Sequence, residues 1–426
     1  MIRILDYNVI DNDAIIASPK PINDVSGIVK DIIETVRNEG DAALFAYAER
    51  FDKVCLTSLR VEEEEIEAGI AKVDKEFFAI LERSAANIRA FHKKQKRRGF
   101  KIKKEKGVVL GQRVSPIERV GLYVPGGTAA YPSTVLMDAI PAKIAGCPKV
   151  VMVTPPGKDG SVPPVILAAA KVAGVDEIYK VGGAQAVAAL AYGTQSIPKV
   201  DKIVGPGNAF VAEAKKQVFG VVSIDMIAGP SEILVVADDK NDPKCIAADL
   251  LSQAEHDKNA SAVLITDSEA FAQKVQGAVE ELLQSMEREE IARASVENNG
   301  KIIVAKDLSQ AIDVANEIAP EHLELCVEDP FKMLKKVKHA GSVFLGRNCP
   351  EALGDYFAGM NHTLPTCGTA RFSSPLSVDD FVKKTQFAFY SAEALATVAD
   401  DVAVFAREEG LTGHARSATI RSKRYE

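Results

Sequence analysis

The chain is short of the residues that most often mark a reactive or metal-bound site. It has six cysteines, Cys55, Cys147, Cys245, Cys326, Cys349 and Cys367, and no two form a CxxC pair. That argues against a cysteine-based zinc site and fits reduced thiols in a cytoplasm. Histidines are equally few: His92, His256, His322, His339, His362 and His414. Few alternative ligand sets can be assembled from them. No apolar run approaches the ~20 residues needed to span a bilayer. The N-terminal MIRILDYNVIDNDAII carries acids where a signal peptide needs an apolar core. A cytoplasmic protein is expected. An excess of positive charge is also missing, since the formal net charge is −7. Attraction of the whole protein to nucleic acid or an anionic membrane is therefore not expected. The one basic stretch, Phe91–Lys106, has only Phe91 and Phe100 as aromatics, too few for a base-stacking surface. It reads as a solvated helix end and edge strand.

What is present is a soluble α/β texture. The chain has 426 residues, 47% hydrophobic and 26% charged, enough for two or three domains with large cores. Its organising stretch is Ser223–His256. Ile233–Ala237 (ILVVA) is short, apolar and β-branched, as a fully buried strand should be. Asp238, Asp239, Asn241, Asp242 and Pro243 end it and supply a helix start. Ile246, Ala247, Leu250 and Leu251 then recur at helical spacing. Gln253 and His256 close that helix three residues apart, on one face, where an amide oxygen and an imidazole nitrogen can grip one ion. The preceding turn, Ala228–Glu232, can face the same pocket.

Elsewhere buried strands alternate with alanine-rich helices. Asp24–Arg50 has helical periodicity broken by Gly40, and Val61–Ala85 is a second, acid-rich helical region. Three strand ends run into glycine loops, at Gly126-Gly127, Gly182-Gly183 and Gly205-Pro206-Gly207. Open parallel sheets bind ligands at such ends. Helices are expected at Val378–Lys384 and Ala392–Gly410, before a basic tail.

Several residues are chemical candidates with a plainer reading beside them. GPGNAF at Gly205–Phe210 is close to GxGxxG, but Phe210 stands where the third glycine belongs. Asp225 lies about 20 residues on, where a ribose-binding acid would sit. Tyr123, Gln185 and Asn208 flank the three loops as dinucleotide contacts or ordinary loop residues. Asp355 and His362 lie in a loop rich in glycine and proline. Glu321 and His322 are an acid–base pair only if the backbone turns there, since adjacent side chains normally diverge. Alternatively Pro320 opens a helix with Glu321 in its first turn. Cys147 and Cys326 read as buried hydrophobes, and His92 and His339, among lysines, as solvated residues.

Long blocks then match one family in order: ERVGLYVPGG (118–127), VGGAQA (181–186), VGPGNAFVAEAK (204–215), IDMIAGPSEILVVAD (224–238), SQAEH (252–256), APEHLEL (319–325), GDYFAGMNHTLPT (354–366), ARFSSPLSVDDF (370–381) and EGLTGHARS (409–417). The chain resembles the histidinol dehydrogenases over nearly its whole length. The resemblance implies an NAD-linked, four-electron oxidation of L-histidinol to L-histidine through histidinal. It implies zinc held by Gln253, His256, Asp355 and His414, and proton transfer by Glu321 and His322. Substrate contacts would come from Ser231, His362 and Glu409 together with His322 and the metal ligands. NAD contacts would come from Tyr123, Gln185 and Asn208. A homodimer is implied, with Glu409 and His414 reaching the neighbouring active site. The expected fold is two Rossmann-like, doubly wound lobes of the aldehyde-dehydrogenase-like kind. Residues 1–20 would be an arm, 21–122 with 231–375 a catalytic lobe, 123–230 the NAD lobe, and 376–426 a helical dimerisation segment. Rival readings are a zinc hydrolase, a non-catalytic sensor and an aldehyde dehydrogenase with a cysteine nucleophile.

Overall fold

The strand Glu232–Ala237 is buried at every position, and its neighbours in the chain explain why. Ile233, Val235 and Ala237 face one hydrophobic layer with helices Pro243–Ala254, Glu269–Leu283 and Glu289–Asn298. Leu234 and Val236 face the other, with helix Leu308–Ile318. A sheet covered on both faces needs continuous apolar strands, which is what ILVVA is. The computed structural model describes residues 1–7, 24–126 and 130–422. Most of the expected N-terminal arm, Gly127 and the last four residues lie outside them.

Six parallel strands form this sheet, in the order Arg3–Asp6, Lys301–Val304, Ser261–Thr266, Glu232–Ala237, His322–Cys326, Ser342–Leu345. Apart from the edge strand Arg3–Asp6, this is the 3-2-1-4-5 order of a doubly wound nucleotide-binding half. A second sheet repeats it with five parallel strands: Glu177–Lys180, Lys149–Thr154, Arg119–Tyr123, Lys202–Val204, Ser223–Ile224. Two Rossmann-like lobes are therefore present, as the alternation of strand and helix predicts.

Helix Ser26–Glu39 ends at Gly40, as expected, and packs on helices Gly183–Tyr192 and Ala209–Val218 of the five-stranded lobe. Helices Glu63–Ile70 and Lys75–Lys93 pack on Pro132–Ala145 and Pro164–Ala173 of that same lobe. The grouping of residues 21–122 with the other sheet thus differs from the packing seen. Val29, Ile32, Ile33 and Val36 join the core of the five-stranded sheet instead. His92 also departs from expectation. It is fully buried, with Nδ1 2.7 Å from Gln95 Oε1, because it faces inward from helix Lys75–Lys93.

The chain divides into two compact units, Met1–Gln95 with Glu118–Phe381, and Lys96–Ile117 with Val382–Glu426. Of the expected helix at 378–384, Val378–Phe381 is a short 3-10 helix of the first unit, while Val382 opens the strand Val382–Tyr390 of the second, paired antiparallel with Val108–Pro116. Its Phe and Tyr residues favour the extended chain. Phe100–Glu105 is the opposite edge strand, exposed throughout, as the basic stretch suggested. Helices Ala392–Ala396, Ala399–Glu408 and Thr412–Ser422 complete the unit. No described helix is long and apolar enough to cross a membrane.

Helix Pro132–Ala145 contains a fully buried carboxyl, Asp138, whose Oδ1 accepts a hydrogen bond from Thr363 Oγ1 at 3.0 Å. Burial, aided by the nearby Asp225 charge, pushes its pKa from 3.8 up to about 8. The folded protein holds this proton and the unfolded chain releases it, so stability falls as pH rises between those two values. Asp138→Asn removes that cost. Its stability relative to the parent should improve by ~1 kcal/mol or more between pH 5 and pH 8 in denaturant melts. A relative loss at pH 8 would contradict the assignment.

Candidate active site

The residue pair at the start of strand His322–Cys326 is joined to the start of strand Glu232–Ala237 through one peptide unit on each side of Glu232. The Glu232 N–H donates to Glu321 Oε2 at 2.9 Å. The Glu232 carbonyl lies 2.9 Å from His322 Nδ1. A carbonyl only accepts, so Nδ1 carries the proton and Nε2 presents a lone pair. Ala319 takes a left-handed backbone (φ 54°), and the strand begins two residues after Pro320. Pro320 therefore opens no helix, and the turn lets two adjacent side chains serve one site. Both are buried. Burial raises the Glu321 pKa well above the ordinary carboxylate range, with Glu232, Asp355 and Glu351 adding to it. Burial lowers that of His322.

Around His322 Nε2 lies a nest of acids. It is 3.9 Å from Glu351 Oε1 and 3.8 Å from Asp355 Oδ1, and these ligand-type atoms all lie within 4.8 Å of one another. His362 Nδ1 is 3.7 Å from Asp355 Oδ1. Its pKa is pushed down to about 4 by burial and by the nearby histidines His322 and His256. Asp355 sits in a single π turn, Gly354–Ala358. Such turns are often found at functional sites. Asn361 Nδ2 donates to the Met137 carbonyl at 2.7 Å, which ties the loop carrying Asp355 and His362 to helix Pro132–Ala145. Gln253 is buried on the last turn of helix Pro243–Ala254, close enough to act on the Glu351 carboxylate. His256 is exposed just past the helix end, its N–H bonded to the Gln253 carbonyl at 3.1 Å. Ser231 precedes the strand and is half-buried. His322 Nε2 and Glu351 Oε1 are buried atoms without hydrogen-bond partners. A set of imidazole nitrogens, carboxylates and an amide oxygen suits zinc or manganese, and two orphaned acceptors facing each other fit a cation between such groups.

Sequence reasoning missed Glu324 and Glu351, and it had Glu232 only as the end of the turn Ala228–Glu232. Glu324 is the legible one, an acid in the otherwise apolar strand HLELC, with Oε1 2.7 Å from the Glu351 N–H. Glu409 and His414 belong to the second compact unit and are exposed there.

A cavity of about 1300 Å³ opens beside the five-stranded lobe, and Tyr123, Gln185 and Asn208 all line it. It includes loops at the ends of the two central strands, where the strand order reverses and dinucleotides sit in this topology. Two of the three residues also have a place in the fold. Tyr123 Oη accepts from the Gly183 N–H at 3.0 Å, and Asn208 caps helix Ala209–Val218 through Phe210 and Val211. Asp225 is not a free ribose acid. It is buried in an ion pair with Lys215 and accepts the Gly205 N–H at 2.7 Å. Breaking such a pair costs ~3–5 kcal/mol, more than a ribose hydrogen bond returns. The pair holds Gly205 (φ 116°), where a Cβ would meet the Tyr123 carbonyl oxygen at 2.1 Å. At the corresponding strand ends of the six-stranded lobe, Arg347 Nη2 donates to both Asp238 oxygens at 2.8 and 2.6 Å. Glu232, Glu321 and His322 lie at the opposite, amino ends of that lobe's strands.

Two thiols lie near these acids: the Cys367 N–H donates to Glu232 Oε1 at 3.0 Å, and the Cys326 thiol lies 3.7 Å from Glu324 Oε2. Burial and the Glu232 charge push the Cys367 pKa up to about 11, and burial pushes that of Cys326 up as well. Neither is an activated thiolate.

The histidinol dehydrogenase family model matches residues 17–422. The histidinol dehydrogenase of Syntrophotalea carbinolica is 55% identical over 99% of this chain and 100% of its own length. That of Geobacillus kaustophilus is 56% identical over 93% of this chain and 94% of its own. The crystal structure of the Elizabethkingia anophelis enzyme superposes with a TM-score of 0.94 at 39% identity, covering 100% of this chain and 98% of that one. A match spanning both lobes and the second unit leaves one assignment: this chain belongs to the histidinol dehydrogenase family, oxidoreductases of histidine biosynthesis.

Proposed function

We propose that the chain oxidises L-histidinol to L-histidine through histidinal, with two NAD molecules consumed and one zinc ion per subunit. The observation that carries this reading is the Glu232 main chain, which holds Glu321 and His322 together beside Asp355 and Glu351. Gln253, His256, Asp355 and His414 would hold the ion, and Tyr123, Gln185 and Asn208 would bind the dinucleotide. When bound, zinc supplies a Lewis acid that orients and polarises the substrate, and NAD supplies the hydride acceptor.

The chain's own groups do the proton work. An alcohol gives up hydride readily only after its oxygen loses a proton, and His322 Nε2, unprotonated and unpartnered, is placed to take it. The Nδ1 bond to the Glu232 carbonyl keeps the ring in that tautomer. Oxidation of the aldehyde requires a hydrate. Glu321, held by the Glu232 N–H and with its pKa raised, is placed to take the proton of the attacking water. Ser231, His362 and Glu409 would add substrate contacts. A buried site also retains the reactive aldehyde.

A homodimer with a shared site completes the reading, with Glu409 and His414 donated by the second subunit. It is supported by the apolar surface of the second unit, where Phe389, Phe405 and Leu411 are exposed.

Two measurements test the proposal. Purified protein mixed with histidinol and NAD should generate NADH absorbance, lose it after chelation and regain it with zinc. No NADH from the metal-loaded protein would refute it. Glu321→Gln should retain measurable alcohol oxidation while acid formation falls ~100-fold or more. Separate assays of histidinal and histidine decide this, and unimpaired acid formation would remove Glu321 from the role.

A further inference from the structure

The glycine loop beside the open cavity is held by a charge pair that no step of the scheme above uses. Strand Lys202–Val204 runs into Gly205, and Asn208 caps helix Ala209–Val218. Lys215, further along that helix, folds back onto its own loop, and its Nζ donates to the Gly205 carbonyl at 2.9 Å. Asp225 follows strand Ser223–Ile224. Its Oδ2 accepts the Gly205 N–H at 2.7 Å and its Oδ1 accepts the Met226 N–H at 2.6 Å. The ammonium and the carboxylate also pair with each other, their side chains 2% and 1% exposed. One buried ion pair thus grips both main-chain groups of a single glycine.

Stability does not account for this arrangement. Taking two charges out of water costs about what their attraction returns, and well-packed apolar side chains in their place are often as stable or more so. What an ion pair supplies and an apolar pair does not is direction, a donor and an acceptor at fixed places. Both are used here on the residue that opens the loop. Gly205 has φ 116°, and a Cβ there would lie 2.1 Å from the Tyr123 carbonyl oxygen and 3.0 Å from Asp138 Oδ2. Without the pair, the run Gly205-Pro206-Gly207 has the backbone freedom of glycine at both ends. Asn208 and Phe210, which follow it, line the cavity together with Tyr123.

We infer that Lys215 and Asp225 are positioning residues for the dinucleotide: they preform the loop that carries Asn208, so the cavity takes up its ligand without first ordering its own wall. The inference rests on the reading of that cavity as the NAD site. Fixing even one loose backbone residue on binding costs roughly a factor of 10 in affinity.

The test is NADH affinity of the full-length, metal-loaded protein, read from the fluorescence of NADH, together with steady-state KM values. Lys215→Met combined with Asp225→Asn removes both charges at nearly constant volume and leaves no unpaired ion behind. It should weaken NADH binding and raise the KM for NAD ~10-fold or more, while zinc affinity and the KM for histidinol at saturating NAD stay at the parent's values. Parental NADH affinity in this variant, or a loss of equal size for both substrates, overturns the inference. If the double variant does not fold, Asp225→Asn alone decides. It keeps an acceptor for the Gly205 N–H but not the pair, and should cost several-fold in NADH affinity; parental affinity there overturns the inference. Ala130→Trp places a bulky ring on the cavity wall and should abolish NADH binding. If it does so while the double variant binds NADH normally, only the inference falls. If Ala130→Trp binds NADH as the parent does, the reading of the cavity and the inference fall together.

Discussion

One residue's main chain organises the chemistry. Glu232 opens a fully buried strand, and its N–H and carbonyl grip Glu321 and His322 of the adjacent strand. Main-chain groups at a strand end have little freedom to move. The two side chains therefore inherit the rigidity of the sheet, and the imidazole is fixed in the tautomer that leaves Nε2 open. The surrounding acids would repel one another in a dry pocket. Burial raises the pKa of Glu321 and of Asp355, and His322 Nε2 and Glu351 Oε1 face each other without hydrogen-bond partners.

The two lobes differ although they share a strand order. In the five-stranded lobe the crevice at the carboxyl ends of the central strands is open, and a glycine loop there is clamped by the buried Lys215–Asp225 pair. In the six-stranded lobe Asp238 and Arg347 pair at those strand ends, and Glu232, Glu321 and His322 lie at the other end of the strands. The same topology thus leaves an open cavity in one lobe and sets buried polar residues at strand starts in the other. Asn361 and Thr363, bonded to Met137 and Asp138, connect the loop of Asp355 to the five-stranded lobe.

Much of this was legible in the sequence. ILVVA reads as a fully buried strand, which it is, and the three glycine loops fall at strand ends beside the open cavity. The strand Val382–Tyr390 was not, because its lysines and small residues mimic a short surface helix until its partner strand is known. Glu351 follows Pro350 and looks like an ordinary first-turn acid of a short helix; only tertiary packing shows it buried against Ser252 and Glu324. His92 misled for the same reason, since lysines nearby in sequence say nothing about which helix face a histidine occupies. Asp225 had the spacing of a ribose ligand, but its buried partner is ten residues away and invisible to a motif.

The central claim is that these dispersed donors enclose a divalent cation. It is tested most directly by anomalous diffraction at the zinc edge from crystals of the zinc-loaded protein. The account predicts one strong peak per subunit, bounded by the side chains of Gln253, His256 and Asp355. A peak elsewhere, or none at that place in fully loaded protein, would contradict it.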